Sequence, residues 1–342
     1  MSDSRKKEHK ALDNQLKILL PYLDRKGVTE VCINQPQMIH IEGALKQNSP
    51  DTWEHIKVEA VTLSYLAQLA KLVAVFNGKT IDSSKPILSG SLPKGQRIQI
   101  VMPPVAEEGT ISFTIRIPSP VNKTLDELDD EGAFDECKNI NNELQPFEHD
   151  LLKFKAEGRI KEFLELAVTS RRNIIIAGET GSGKTTIAKS LIESVPRFER
   201  LITLESDHEI DLSNFPNKVH LLYSRENNGS LNITPKQCLA ACLRMNPSRI
   251  LLAEIIGDES WDYIKSINTG HAGSITTMHA NGAYEAFEQF VSLVKDSPTG
   301  AYLETSYVKH RLLSTIDIVL FYSHRKLQSI YFDPKRKHDL LG

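Results

Sequence analysis

Apolar and polar positions along this chain follow two different rhythms. In the first third, Leu12, Leu16, Leu19, Leu20 and Leu23 recur at helical spacing, which predicts an amphipathic helix over 11–24. A strand over 30–34 follows, with a turn at Gln35-Pro36 and a hairpin partner over 38–41. A second helix is predicted over 61–76, stopped near Asn77-Gly78. Positions 97–101 alternate, Pro103-Pro104 interrupts, and 110–117 alternate again up to Pro118. Residues 1–119 therefore read as an α+β domain with a mostly antiparallel sheet.

The pattern then lapses. Residues 124–150 hold ten acidic residues and one lysine, Lys138, with few apolar positions and no period. An acidic linker is expected over 120–150. After residue 150 short apolar strands alternate with helices: a helix over 151–168, strands over 173–177, 201–205, 250–253 and 274–278, and a helix over 184–195 ended by Pro196. That order predicts a parallel α/β sheet over 151–342.

Composition narrows the class. The chain has 342 residues, 40% apolar and 25% charged, which fits two globular domains and excludes wholesale disorder. A net charge of -3 excludes a strongly basic nucleic-acid coat. The N-terminus is polar and lacks the apolar core of a secretory signal, and no apolar run is long enough to cross a bilayer. None of the four cysteines forms a C-x-x-C pair, and Cys238 and Cys242, four apart, are expected to pack in a core.

The sharpest chemical signal is G-E-T-G-S-G-K-T at 178–185, a complete G-x-x-x-x-G-K-[ST] between a predicted strand and a predicted helix. Gly178, Thr180, Gly181, Ser182 and Gly183 curl the loop so that backbone N–H groups and a helix N-terminus cradle phosphate. Lys184 adds a cation for the β- and γ-phosphates, and the Thr185 hydroxyl can ligate Mg²⁺. Ser182 and Thr186 could equally cap the helix. This predicts ATP with Mg²⁺. Hydrolysis also needs a water activator. The strand R-I-L-L-A-E at 249–254 ends in Glu254, placed to polarise the attacking water directly or through the Mg²⁺ shell. The strand L-I-T-L-E at 201–205 ends in a second carboxylate, Glu205, and parallel sheets collect functional groups at such ends. Asp207 and Glu209 read equally as loop charges. In G-H-A-G-S-I-T-T-M-H-A at 270–280, His279 ends a strand and can sense a γ-phosphate; with His271 and no third ligand it makes no metal site.

These segments, in this order, resemble the P-loop ATPases of type II and type IV secretion, with their Walker A, Asp-box, Walker B and His-box motifs. T-E-V-C-I-N at 29–34, K-T-I-D at 79–82, G-Q-R-I-Q-I-V at 95–101 and S-F-T-I-R-I-P-S at 112–119 extend the resemblance to the N-terminal domain of the type IV branch. The resemblance implies a RecA-like C-terminal domain. It implies a homohexameric ring at the cytoplasmic face of the inner membrane, peripheral to it. Its partners would be other ATPases and inner-membrane components of a type IV secretion system. The ring would power pilus assembly and export of protein or DNA. It also implies that Arg97 and Arg116 reach the nucleotide phosphates. Two features depart from the pattern or distinguish its branches. Ile256 stands where the family usually has arginine after the Walker B strand, whereas Arg244 of L-R-M-N-P is kept. The four-cysteine module of the type II branch and the A-I-R-N-L-I-R-E segment of the twitching-motility branch are absent.

Two other classes make different demands on the sequence. A nucleic-acid motor would use the basic clusters at 5–10 and 335–337, but both lie at chain ends without interleaved aromatics, so sequence-specific nucleic-acid binding is not expected. A non-catalytic ATP-binding scaffold would explain Ile256 but not the set Glu205, Glu254 and His279.

Overall fold

A computed structural model of the chain describes residues 3–43, 51–118, 122–137, 143–225 and 233–341, with side chains from Lys10 to Leu340. The N-terminal unit holds α1 (Asp3–Leu16), α2 (Leu20–Leu23), β1 (Val28–Ile33), β2 (Met38–Gly43), β3 (Trp53–Lys57), α3 (Leu63–Phe76), β4 (Ile87–Ser91), β5 (Arg97–Val101) and β6 (Ser112–Arg116). Its six strands form one antiparallel sheet in the order β3-β2-β1-β6-β5-β4. The helix expected over 11–24 is two pieces. Pro21, in the first turn of α2, has no N–H to bond back across residues 17–19.

One face of this sheet is apolar and lies under α1 and α3, with Leu12, Leu16, Leu66, Leu69, Val31 and Ile115 in a common core. The other face is polar. In register, His55, His40, Cys32, Thr114, Gln99 and Ser89 cross all six strands in one row. His40, Cys32, Thr114 and Gln99 are nonetheless buried. The C-terminal unit covers them.

The acidic stretch is not structureless. It carries α4 (Leu125–Asp130), started by a capping box in which Thr124 and Glu127 bond each other's backbone N–H. Lys138 and the predicted domain boundary at 119–120 lie outside the described residues. Next come α5 (Pro146–Ala156) and α6 (Ile160–Thr169), where one helix was expected from residue 151. Gly158, at φ +72°, breaks it.

The C-terminal unit continues with β7 (Ile174–Gly178), α7 (Lys184–Glu193), β8 (Leu201–Glu205), β9 (Lys218–Leu222), α8 (Pro235–Cys242), β10 (Arg249–Leu252), β11 (Glu254–Ile255), α9 (Glu259–Ile267), β12 (Ile275–Met278), α10 (Glu285–Asp296), α11 (Thr305–Thr315), β13 (Ile318–Ser323), β14 (Lys326–Phe332) and α12 (Pro334–Leu341). Strands run β9-β8-β10 and β11-β12-β7-β13-β14. The two sets join at Ala253, whose N–H bonds Leu204 O at 3.0 Å while its carbonyl accepts from Thr277 N at 3.3 Å. All pairs are parallel, as expected, except β13–β14. Apolar clusters fill both faces. Cys238 and Cys242 are buried in α8 with free thiols, and burial pushes the Cys238 thiol up to about 12, so they pack as core residues.

The units are tied along β9 and at the amino ends of β8 and β10. Leu222 N bonds Val105 O at 2.7 Å, Asn246 Nδ2 bonds Glu42 Oε2 at 2.7 Å, and Arg244 Nη1 bonds Ser89 Oγ at 2.8 Å. At the centre lies Arg200, fully buried among Asn34 and Thr114 of one unit and Asn217 and Met245 of the other.

Candidate active site

The central strand β7 delivers the chain to the P-loop at its carboxyl end. Gly181 and Gly183 adopt φ +75° and +98°, backbone that a side chain disfavours, so the curl demands glycine there. Gly183 is also the N-cap of α7, and Lys184 opens the helix. Lys184 is 8% exposed, and its Nζ donates to the loop's own carbonyls, Gly178 O at 3.0 Å and Glu179 O at 2.9 Å. Burial holds the Lys184 amine below its ordinary value, against the pull of Glu254 and Glu179. Thr180, Thr185 and Thr186 are exposed, and among the described residues the Thr185 and Thr186 side chains make no hydrogen bond. The buried Ser182 Oγ likewise has no partner among the described residues.

Two strands away the sheet presents its acid. β11 and β12 pair in parallel with Glu254 opposite Thr277. Side chains alternate along a strand, so His279, two residues past Thr277, shares the face of Glu254. The two meet, His279 Nε2 to Glu254 Oε1, at 2.9 Å. Both remain open to solvent, with side chains 49% and 31% exposed. A carboxylate beside an imidazole, next to a phosphate-binding lysine, can take a proton from water and be held in orientation while it does so.

Among the described residues Glu205 makes no hydrogen bond to either member of this pair. It is fully buried, and both its oxygens are committed: Oε2 accepts from Glu209 N at 2.9 Å and Ile210 N at 2.8 Å, and Oε1 from Thr203 Oγ1 at 2.5 Å with His220 Nδ1 at 3.2 Å. Burial alone would raise its pKa; the bonds from His220, Thr203 and the two amides outweigh that and lower it. With its lone pairs spent, Glu205 shapes the turn after β8. Its neighbours Asp207 and Glu209 are exposed. His271 holds Pro247 O at 2.9 Å, a structural contact.

Arg97 and Arg116 are cross-strand partners on β5 and β6, on the polar face of the N-terminal sheet. Both are exposed, and among the described residues neither makes a hydrogen bond or ion pair. Arg116 lies near Glu30, which also feels Arg200 at the amino end of β8. The P-loop lies at the opposite, carboxyl end of the sheet. The chain therefore does not bring this pair to its own P-loop.

One contributor carries no motif. The β13–β14 turn presses on the P-loop: Arg325 N bonds Ser182 O at 3.1 Å, and Ser323 Oγ bonds Glu179 Oε1 at 3.3 Å. His324 and Arg325 both adopt positive φ, +50° and +59°, to make that turn. Sequence signalled it only as an apolar run, 318–321, ahead of a polar tip.

A strand–P-loop–helix unit, with a carboxylate and an imidazole on neighbouring parallel strands, defines a RecA-like P-loop ATPase domain. The α+β unit before it and the acidic connection complete the expected fold class. A family model described as type II/IV secretion system protein matches residues 13–320, and the chain belongs to that family. The type IV secretion system protein VirB11 of Bartonella henselae is 38% identical, covering 96% of this chain and 94% of that protein. The type IV secretion system protein PtlH of Bordetella pertussis is 35% identical over 95% and 94%. The solved VirB11 ATPase from the Brucella suis type IV secretion system, in complex with sulphate, superposes with a TM-score of 0.88 at 37% identity, covering 96% and 99%. The resemblance read from the motifs, to the type IV secretion ATPases, is borne out.

Proposed function

We propose that this chain is a Mg²⁺-dependent ATPase that works in a homohexameric ring and powers a type IV secretion system. The observation that supports this best is the Glu254–His279 pair beside the P-loop lysine, with Glu254 opening β11 and His279 just past the carboxyl end of β12. Lys184 and the P-loop amides bind the β- and γ-phosphates; the carbonyls of Gly178 and Glu179 hold the lysine until then. The uncommitted Thr185 hydroxyl and the half-exposed Glu254 carboxylate are oxygen donors that fit Mg²⁺, which supplies positive charge to the phosphate oxygens. Glu254 accepts a proton from the attacking water, and His279 fixes its orientation. Arg97 and Arg116 complete the charge on the phosphates from a neighbouring copy of the chain, since their own unit faces away. Their arrival then couples ring motion to nucleotide state.

The ring works at the cytoplasmic face of the inner membrane, against other ATPases and inner-membrane components of the secretion system. No helix among the described residues is long and apolar enough to cross a membrane. The basic cluster near the C-terminus is partly committed inside the fold: Lys337 Nζ bonds Asp317 Oδ1 at 2.6 Å, and His338 Nε2 meets Glu148 Oε2 at 3.0 Å. That weighs against a nucleic-acid track there. Glu254→Gln tests the assignment. It should keep ATP affinity and lower turnover by at least about 10-fold, the scale of lost general-base help. Unchanged turnover would remove Glu254 from the role.

A further inference from the structure

Glu259 opens α9 and is fully buried, yet it is a carboxylic acid. A buried charge needs a partner. The partner comes from 34 residues earlier in the chain, just past β9. Arg225 meets Glu259 with both terminal guanidinium nitrogens, Nη2 to Oε1 at 2.9 Å and Nη1 to Oε2 at 3.3 Å. This is the fork-to-fork geometry that gives an arginine–carboxylate pair its strength and its fixed direction. The same Nη2 donates to the main-chain carbonyl of Glu254 at 3.3 Å. Tyr223 backs the guanidinium, its hydroxyl 3.3 Å from Nη2 and its ring centroid 5.2 Å from Cζ. From the other side, Glu259 Oε1 accepts the amides of Ile256 at 3.1 Å and Gly257 at 3.2 Å. The turn after the Walker B strand is thus held at its carbonyl by Arg225 and at its amides by Glu259. Glu254, the proposed base, stands at the start of that turn.

Position 256 itself supplies no cation. Ile256 is 46% exposed, where the family pattern has arginine. Its amide bonds Glu259 Oε1 at 3.1 Å, so the backbone at 256 lies against the same carboxylate.

We infer that Arg225 is a positioning residue for Glu254. By neutralising Glu259 and holding the Glu254 carbonyl, it fixes the turn that carries the base and replaces the arginine missing at 256. This rests on the ATPase reading. Arg225 acts through the main chain of Glu254, whose carbonyl it holds.

The test uses the full chain as Arg225→Ala, Arg225→Lys and the double variant Arg225→Ala/Ile256→Arg. Two readouts are taken: kcat with KM for ATP, and hydrogen exchange at the Ile256 and Gly257 amides. Arg225→Ala should lower kcat about tenfold, as a misplaced catalytic group does. KM should stay within about twofold, because ground-state binding is untouched. The two amides should exchange at least about tenfold faster as their acceptor loosens. Arg225→Lys keeps the charge but loses the fork, and should fall between. If Arg225→Ala does not fold, Arg225→Lys carries the comparison alone. Arginine at 256 should restore most of both losses. An unchanged kcat, or a fall in kcat without faster exchange at these amides, overturns the inference. Failure of Ile256→Arg to restore either overturns the claim of replacement. If the unmodified chain hydrolyses no ATP, the ATPase reading fails, and amide exchange alone still decides whether Arg225 holds the turn.

Discussion

Replacing Arg200 by leucine strikes the joint between the two units. Arg200 is 0% exposed, and among the described residues it has no ion-pair partner. Its charge is met by neutral acceptors: Nε donates to Met245 O at 2.8 Å, Nη1 to Asn34 Oδ1 at 2.8 Å and to Asn217 Oδ1, and Nη2 to Thr114 Oγ1 at 3.3 Å. Leucine would leave these acceptors unpaired, though Asn34 Nδ2 could still reach Asn217 Oδ1 at 2.9 Å. The acceptors left without Arg200, Met245 O, Asn34 Oδ1 and Thr114 Oγ1, at about 1–3 kcal/mol for each, sum to about 3–9 kcal/mol. Removing a buried charge returns several kcal/mol of desolvation. The net cost is about 3 kcal/mol, and it falls on the contact between the units more than on either core. Trp53 reports this contact, its ring centroid 5.9 Å from the Arg200 guanidinium. The chain has two tryptophans, so a Trp261→Phe background isolates it. In urea, the Trp53 fluorescence midpoint of Arg200→Leu should fall by about 1–3 M at an m-value of about 1–3 kcal/mol/M. Loss of far-UV circular dichroism should lag behind it. An unchanged Trp53 midpoint, or two transitions shifting together, would refute the view that Arg200 joins the units.

His279→Ala should lower kcat by about tenfold or more while leaving ATP affinity intact, because Glu254 loses the group that orients it. Equal phosphate release by variant and parent would contradict this. Glu30 gives a pH signature: burial, with Glu42 nearby, pushes its carboxyl up from 4.5 to about 7, against Arg200 and Arg116. The folded chain then binds more protons than the unfolded one over that interval. Stability from Glu30 is present in acid and lost as pH rises through about 7. Glu30→Gln should therefore gain on the parent between pH 4.5 and 8, by at most about 3 kcal/mol for a shift of this size; parallel stability–pH curves would refute it.

Much of the fold and site could be read because the ATPase half states its chemistry locally. The strand at 173–177 and the P-loop after it lie in one unbroken segment, so their geometry follows from adjacent residues. The Glu254–His279 pair could be nominated but not placed. It exists only through the parallel register of β11 on β12, which the 24 residues between Glu254 and His279 conceal. Arg225 was invisible for the same reason: its partner Glu259 is remote in sequence and no motif surrounds it. The β13–β14 turn escaped because His324 and Arg325 adopt positive φ where Asn or Gly would have signalled a hairpin. Helix ends failed where single residues decided them, Pro21 and Gly158. In the N-terminal sheet, the polar row through His40, Cys32 and Thr114 breaks the rule that polar faces meet water, since a second unit covers it.

ATP binding and cleavage at the P-loop is the step on which the proposed ring motor depends. It is tested most directly by the rate of Mg²⁺-dependent phosphate release per subunit, in the parent chain and in Lys184→Ala, over a wide range of protein concentration. The parent's specific activity should climb with concentration and then level off, as sites are completed between copies. Lys184→Ala should stay at background throughout, its loop having lost the cation for the β- and γ-phosphates. Near-parental turnover in Lys184→Ala would contradict it.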